Sequence, residues 1–143
     1  MRLTIIIPVL NEAEGLPNML GHLASLCGRG TEVIVVDGGS EDDSRQAALH
    51  AGAQVIRSER GRARQMNAGA AVARGDILLF LHADTALPFV AEPAIETAVR
   101  RGGGAGEHVW GRFDVRISGR SFMLPVIASL MNLRSRLSGI ATG

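Results

Sequence analysis

Three apolar runs of this chain each end on a short polar cluster, and this repetition constrains the fold more than any other feature. The runs at residues 3–8, 32–36 and 77–81 lead into Asn11, Asp37 and His82, respectively. Short, nearly continuous apolar runs are typical of parallel strands, which are buried on both faces. We therefore expect residues 77–81 to form a central strand covered on both sides.

Helical patterns separate the runs. Apolar side chains recur at helical spacing through residues 16–27, and a second helix is predicted after Ser40, a good N-cap residue. A short strand at residues 53–56 precedes a third helix, whose apolar face would hold Ala63, Met66, Ala70 and Ala73. Residues 109–117 are predicted as a strand and residues 121–137 as a last helix. The alternation predicts one α/β domain over residues 1–143, with a mostly parallel, Rossmann-like sheet and helices on both faces.

Composition excludes several functional classes. The net charge of +1 gives no electrostatic basis for nucleic-acid binding. All 15 basic residues are arginine, which excludes a Schiff-base lysine and a P-loop lysine and favours bidentate recognition of phosphate. Cys27 is the single cysteine, which excludes disulfides within the chain and cysteine-based zinc sites, and we expect it in the core. Pro8 interrupts the first apolar run and no cleavage site follows, so we expect a strand there and a cytoplasmic protein.

Ligands of an open parallel sheet bind beyond the carboxyl ends of the strands. Three junctions at that edge carry polar pairs: Asn11 with Glu12, Asp37 with Ser40, and His82 with Asp84. Ordinary turn chemistry explains each pair separately. Several carboxylates at one edge repel each other unless a metal, a ribose or a base lies between them. Asp84 therefore either begins a turn or holds a divalent cation with a diphosphate.

Four arginines precede or begin the third helix: Arg57, Arg60, Arg62 and Arg64. Positive charge at a helix N-terminus opposes the macrodipole, so an anion such as a diphosphate would stabilise this arrangement. The alternative is a solvated helix start.

These motifs resemble those of a known family. Residues 7–12 (IPVLNE), 35–42 (VVDGGSED) and 81–84 (LHAD) resemble the successive motifs of family 2 glycosyltransferases with the GT-A fold, and residues 60–69 resemble its Ala-Arg-Asn-x-Gly region. Residues 110–114 and 138–143 are similar to one bacterial subgroup, the radical-SAM/selenodomain-associated transferases. The resemblance covers nearly the whole chain. It implies transfer of a sugar from a UDP- or GDP-linked donor to an unknown acceptor, with a lipid-linked acceptor among the options. The apolar segment of the last helix, residues 122–131, is expected in the core, with a peripheral position at the inner membrane face as the alternative.

The resemblance also implies site residues. Those that would bind the donor nucleotide are Pro8, Asn11, Glu12, Asp37, Gly39, Ser40, Arg60, Arg64, Asn67, His82 and Ala83. Asp84 would be catalytic and would bind Mn²⁺ or Mg²⁺, a Lewis acid for the departing diphosphate. Two departures from the family pattern bear on specificity and metal binding. Gly38 stands where a second Asp is usual, and His82 replaces the first acid of the DxD-type motif.

An inverting transfer needs a base for the acceptor's proton. The family's motif for that base is expected after residues 140–143, so we expect a domain that is incomplete at its C-terminus. Asp114, on the expected acceptor side, is then the candidate catalytic carboxylate, at a position that does not match the family's base. A non-catalytic nucleotide-binding or interaction module is the alternative, and nucleotidyl transfer is a weaker one because no Gly-rich loop follows the first strand. A homodimer could cover a sheet edge or apolar face left open.

Overall fold

The computed structural model describes residues 1–26, 30–102, 109–114, 116–121 and 123–138. The elements are β1 (Leu3–Val9), α1 (Leu16–Leu26), β2 (Glu32–Asp37), α2 (Ser44–His50), β3 (Gln54–Arg57), α3 (Arg62–Val72), β4 (Ile77–Phe80), α4 (Ala91–Gly102) and α5 (Leu124–Ser138). The chain divides into two compact units, Met1–Arg100 and Arg101–Gly143. One domain over residues 1–143 stays a prediction.

The first unit is built on a four-stranded parallel sheet with the strand order β3-β2-β1-β4. The chain adds strands on one side of β1 and then returns to add β4 on the other. Because crossovers between parallel strands are right-handed, this reversal puts α3 on the opposite face from α1 and α2. The predicted α/β architecture with helices on both faces is confirmed.

Each face of the sheet has its own core. On one face Ile5, Ile7 and Val9 of β1 are buried under α1. On the other face Ile6 and Val36 pack against small residues of α3. β1 and the carboxyl half of β2 are therefore buried on both sides.

The buried face of α3 matches the predicted one only in part: Ala70 and Ala73 pack against the core as expected, but the fully buried positions are different ones. Gln65 and Gly69 are its buried residues, whereas Ala63 is exposed. A Cβ at Gly69 would lie 2.4 Å from Ile6 Cγ2 and 3.0 Å from Val36 Cγ2, so the missing side chain lets the helix approach the sheet. Alanines mark the predicted face, but close packing at a glycine selects the buried one.

The prediction that residues 77–81 form a central strand buried on both faces was wrong. β4 is at one end of the described sheet, and Leu78 and Phe80 are 40% and 44% exposed. An apolar run specifies a strand but not its place in the sheet.

Other outcomes concern the ends of elements. α2 begins at Ser44 with Asp43 at the N-cap position, so the prediction that Ser40 caps it was wrong. Ser40 is instead bonded to the turn after β1. The described residues between 109 and 117 include no strand. The last predicted helix is confirmed as α5. Cys27 and residues 139–143 lie outside the described residues.

At the amino end of the sheet, a buried hydroxyl connects three segments. Thr4 Oγ1 donates to Glu32 Oε2 at 2.7 Å and accepts from the Gly75 N–H at 2.9 Å. The Arg74 N–H also donates to Glu32, and this bond is the main cause of a lowered pKa of Glu32. No helix among the described residues is long and apolar enough to cross a bilayer.

Candidate functional site

The carboxyl ends of all four strands lie at one edge of the sheet because the strands are parallel. The strand order reverses between β1 and β4, and a ligand crevice is expected at such a point. Asn11 and Glu12 follow β1, and His82 and Asp84 follow β4, so the structure places these predicted residues after two neighbouring strands at the same edge. Asp37 and Ser40 follow β2, on the other side of β1.

Hydrogen bonds join the turn after β1 to the turn after β2. The Asn11 N–H donates to Ser40 Oγ at 2.9 Å, and the Glu41 N–H donates to Asn11 Oδ1 at 2.9 Å. The Glu12 N–H also donates to Ser44 Oγ at 2.7 Å, and the Ala13 N–H donates to Asp42 Oδ2 at 3.0 Å. The side chains of Asn11 and Ser40, which are predicted to contact a nucleotide, thus also hold the two turns together.

Backbone geometry supports this arrangement. Asn11 has a φ of 56°, a left-handed conformation that asparagine tolerates better than most residues. Gly39 has a φ of 94°, in a region that favours glycine. The two predicted residues therefore occupy positions where turn geometry restricts the residue type.

Asp37 is 2% exposed. Its Oδ1 accepts the Ser40 N–H at 2.9 Å, and its Oδ2 lies 3.8 Å from Arg57 Nε. The carboxylate is therefore both a local turn anchor and one half of an ion pair whose arginine is largely exposed.

The turn after β4 presents Asp84 to solvent. The Thr85 N–H donates to the His82 carbonyl at 3.0 Å, and Thr85 Oγ1 donates to Asp84 Oδ1 at 3.2 Å. Ala83 between them is half-buried. This turn leaves most of the carboxylate of Asp84 open to a ligand.

The pKa of His82 is lowered, first by burial of the ring and then by the positive charge of Arg62, while Asp84 opposes the shift. Neutral imidazole is therefore favoured at physiological pH, and this is the form that can bind a metal. The influence of Arg62 also shows that the start of α3 lies near this turn.

The arginines at the start of α3 are exposed. Arg64 Nη1 donates to Glu59 Oε2 at 2.6 Å, with both side chains more than two thirds exposed. Arg60 and Asn67 are also exposed. No acidic side chain occupies the first turn of α3, and Gly61 caps it without a side-chain hydrogen bond. The helix start thus presents N–H groups and guanidinium groups together.

Sequence reasoning missed Gln65. Its side chain is buried at the same edge and donates to the carbonyls of Val9 and Val36. The available signal was Gly69, four residues later, because a glycine inside a helix often marks close packing on that face.

The second unit contains Asp114, the predicted catalytic acid on the acceptor side. Arg112 Nη1 donates to its Oδ1 at 2.9 Å, and Arg136 bonds to its Oδ2. The bond from Arg136 is the main cause of a lowered pKa of Asp114. A carboxylate held ionised in this way is a weak proton acceptor, so these contacts favour ion pairing over general-base chemistry.

Residues 4–129 match the family model described as Glycosyl transferase family 2. The chain belongs to this family. The structural comparison supports the same fold: glucosyl-3-phosphoglycerate synthase from Mycobacterium tuberculosis, solved with Mn²⁺, UDP and glucosyl-3-phosphoglycerate, aligns with a TM-score of 0.57. The identity is 25%, over 64% of this chain and 37% of that one.

The names of two sequence relatives contain a lipid phosphate. Undecaprenyl-phosphate 4-deoxy-4-formamido-L-arabinose transferase of Pseudomonas fluorescens is 33% identical over 59% of this chain and 28% of its own length. Dolichyl-phosphate beta-glucosyltransferase of Drosophila melanogaster is 33% identical over 71% of this chain and 36% of its own length. The chain therefore spans about a third of the length of the relatives it matches.

Proposed function

We propose that this family 2 chain binds a nucleotide diphosphate sugar at the carboxyl edge of its sheet and transfers the sugar by a single, inverting displacement. The observation that carries the proposal is the meeting of the turns after β1, β2 and β4 with the first turn of α3. This edge combines carboxylate and amide groups, which suit a ribose and a base, with arginines, which suit a diphosphate. The solved relative was crystallised with UDP, so UDP is the first nucleotide to test.

The donor pocket would have two walls. Pro8, Asn11 and Glu12 would form one with the β2 turn, where Asp37 holds Gly39 and Ser40 in place for the base or ribose. The other would be formed by His82 and Ala83 with Arg60, Arg64 and Asn67 above the phosphates. Direct contact between Asp37 and the nucleotide requires Arg57 to move, because the carboxylate is buried beside it.

The residues at the β4 turn fit a Mn²⁺ or Mg²⁺ ion that arrives with the diphosphate. No cluster of three or more potential ligands among His, Cys, Asp and Glu occurs in the described part of the chain. Such ions are commonly bound through one or two carboxylates plus substrate phosphates and water, which is what an exposed Asp84 beside a neutral His82 offers. The bound ion would stabilise the negative charge of the leaving diphosphate.

Arginine would supply the remaining phosphate contacts. The Arg64–Glu59 pair is exposed, and exposed ion pairs contribute little to stability. A diphosphate can therefore take the place of Glu59 at small energetic cost, which leaves Arg64 bound to the donor.

We propose a phosphate-bearing acceptor. The two sequence relatives are named for lipid phosphates. A phosphate oxygen is largely ionised near neutral pH, so a transfer to it needs no general base. Arg112 and Arg136 could exchange Asp114 for that phosphate, which gives Asp114 a role on the acceptor side without proton transfer.

A lipid acceptor also fits the surface of α5. Val126, Leu130, Leu133 and Leu137, with Met123 directly before the helix, recur every three or four residues and are between 44% and 81% exposed, with Arg134 among them. An apolar helix face flanked by positive charge is typical of binding at an anionic membrane surface. Sedimentation with phosphatidylglycerol vesicles should be lost in Leu130→Glu and retained in Leu49→Glu, a matched change on α2. Equal sedimentation of both variants, or self-association through this face, would contradict the membrane assignment.

The first experiment is calorimetric titration of the purified, folded chain with UDP and GDP, each with and without Mn²⁺. Asp84→Asn should weaken the Mn²⁺-dependent affinity by at least roughly 10–100-fold, the loss that follows even when a group that only supports a metal ligand is removed. Asp76→Asn makes the same change at the opposite edge of the sheet and should leave the affinity unchanged. Absence of binding to both nucleotides would reject the donor-site assignment.

The alternative is a non-catalytic nucleotide-binding module, favoured by the ion pairs that hold Asp114. Metal-dependent hydrolysis or transfer of a donor sugar would exclude it, whereas binding alone would not. The closer assignment to the radical-SAM/selenodomain-associated subgroup and the homodimer stay predictions.

A further inference from the structure

Gln65 joins the two strands that carry the donor-site turns. Its Nε2 donates to the Val9 carbonyl at 2.9 Å and to the Val36 carbonyl at 2.8 Å, and the residue is 4% exposed. Val9 is the last residue of β1, and Val36 directly precedes Asp37. One side-chain amide therefore fixes the ends of both strands where the chain leaves the sheet.

The same side chain occupies the space beside Gly38. A Cβ at position 38 would lie 2.9 Å from Gln65 Cδ and 2.9 Å from its Oε1, closer than Cβ contacts normally allow. Gly38 has no positive φ, so space rather than backbone conformation requires glycine here. The Gly38 N–H also donates to the Val9 carbonyl, at 3.0 Å. The backbone amide of Gly38 and the side-chain amide of Gln65 therefore share one acceptor.

Gly69 controls how far Gln65 can reach. It lies one helical turn after Gln65 on the same face of α3, and its missing Cβ allows the close approach to Ile6 and Val36. Gln65 thus contacts the strand carbonyls from a helix that is held near the sheet.

We propose that Gln65 is a positioning residue of the donor site, and that a side chain at position 38 would displace it from the strand carbonyls. By holding the ends of β1 and β2, it sets the separation between the Asn11 turn and Asp37. This inference rests on the proposed function for its consequence in nucleotide binding, but its structural part is testable without a ligand.

The ligand-free test is hydrogen exchange in Gln65→Met, which keeps the side-chain volume and removes both N–H donors. Amides of residues 10–13 and 38–44 should exchange faster than in the parent chain, while those of α1 residues 19–24 stay unchanged. Gln46→Met, on the exposed surface of α2, is the matched control. Equal protection of residues 10–13 and 38–44 in both variants, or a uniform loss over the whole chain, would overturn the positioning role.

The ligand test uses UDP with Mn²⁺. Gln65→Met should weaken the affinity by roughly tenfold, within the range expected for the loss of two buried hydrogen bonds, and Gln46→Met should not change it. Gly38→Ala should weaken binding by displacing Gln65, so its loss of affinity and that of Gln65→Ala should not add in the double variant Gly38→Ala/Gln65→Ala. A double variant whose loss equals the sum of the two single losses would reject the pairing of these residues.

The two failures can be told apart. If the parent chain does not bind UDP or GDP, the proposed function is rejected, while the exchange data still decide the role of Gln65. If UDP binds but the exchange of residues 10–13 and 38–44 does not depend on Gln65, only the positioning role is rejected.

Discussion

Gly69→Ala tests how closely α3 packs on the sheet. The added methyl group would meet Ile6 Cγ2 at 2.4 Å and Val36 Cγ2 at 3.0 Å, and both contacts are to residues that are fully buried. Overpacking of a well-packed core costs about 1–3 kcal/mol, and a separation this short belongs at the upper end. Replacing glycine by alanine inside a helix returns about 1 kcal/mol. The expected net loss of unfolding free energy is about 1–2 kcal/mol.

Gly21→Ala is the matched control on α1, because no atom lies within 4 Å of a Cβ at that position. It should stabilise the chain by about 1 kcal/mol through helix propensity alone. In thermal unfolding followed by circular dichroism, Gly69→Ala should lower the Tm by about 2–8 °C, and Gly21→Ala should raise it by about 2–4 °C. The decisive result is the sign. If Gly69→Ala raises the Tm as Gly21→Ala does, α3 does not approach the sheet as described, and the reach of Gln65 loses its basis.

Three further outcomes are expected. Thr4→Val removes a buried hydroxyl from Glu32 and should lower the free energy of unfolding by about 1–3 kcal/mol in urea titration, without changing the UDP affinity of the folded chain. The pKa of Asp42 is lowered, chiefly by the Ser44 hydroxyl, so this carboxylate stabilises the chain above its ordinary pKa of 3.8 and the contribution disappears as the pH falls through the lowered value. Asp42→Asn should therefore flatten the acid limb of a stability-versus-pH curve. Removing Mn²⁺ with EDTA should weaken UDP binding by the parent chain at least to the level of Asp84→Asn, because His82 is a second candidate ligand, and a smaller loss on chelation would contradict a metal role for Asp84.

Much of the sheet could be predicted because its central strands are specified locally. Continuous apolar runs identify β1 and β2, and the polar residues after them mark the ligand edge. The position of β4 could not be predicted in this way, because Leu78 and Phe80 are as apolar as the side chains of a central strand although they are 40% and 44% exposed. Only the pairing with β1 decides that β4 lies at the end of the described sheet.

The site was predicted in outline but not in its internal contacts. Ser40 is a good N-cap residue in sequence, but in the structure its hydroxyl accepts the Asn11 N–H of the neighbouring turn, and α2 begins at Ser44 with Asp43 at the N-cap position. Gln65 escaped prediction for a related reason. A polar residue is recognised as buried only when its partners are known, and these partners are backbone carbonyls on two distant strands.

The hydrogen bonds between the turn after β1 and the turn after β2 have a thermodynamic consequence for any ligand at this edge. Ordering two independent loops on binding consumes conformational entropy, which is subtracted from the affinity. Here the ordering is completed during folding, because Asn11 and Ser40 each use their polar groups on the opposite turn. A nucleotide should therefore bind with a smaller entropic penalty on the β1–β2 side than at the exposed turn that carries Asp84. Variants that remove the hydrogen bonds between the two turns should lose affinity mainly through the entropy of binding, with the enthalpy less affected.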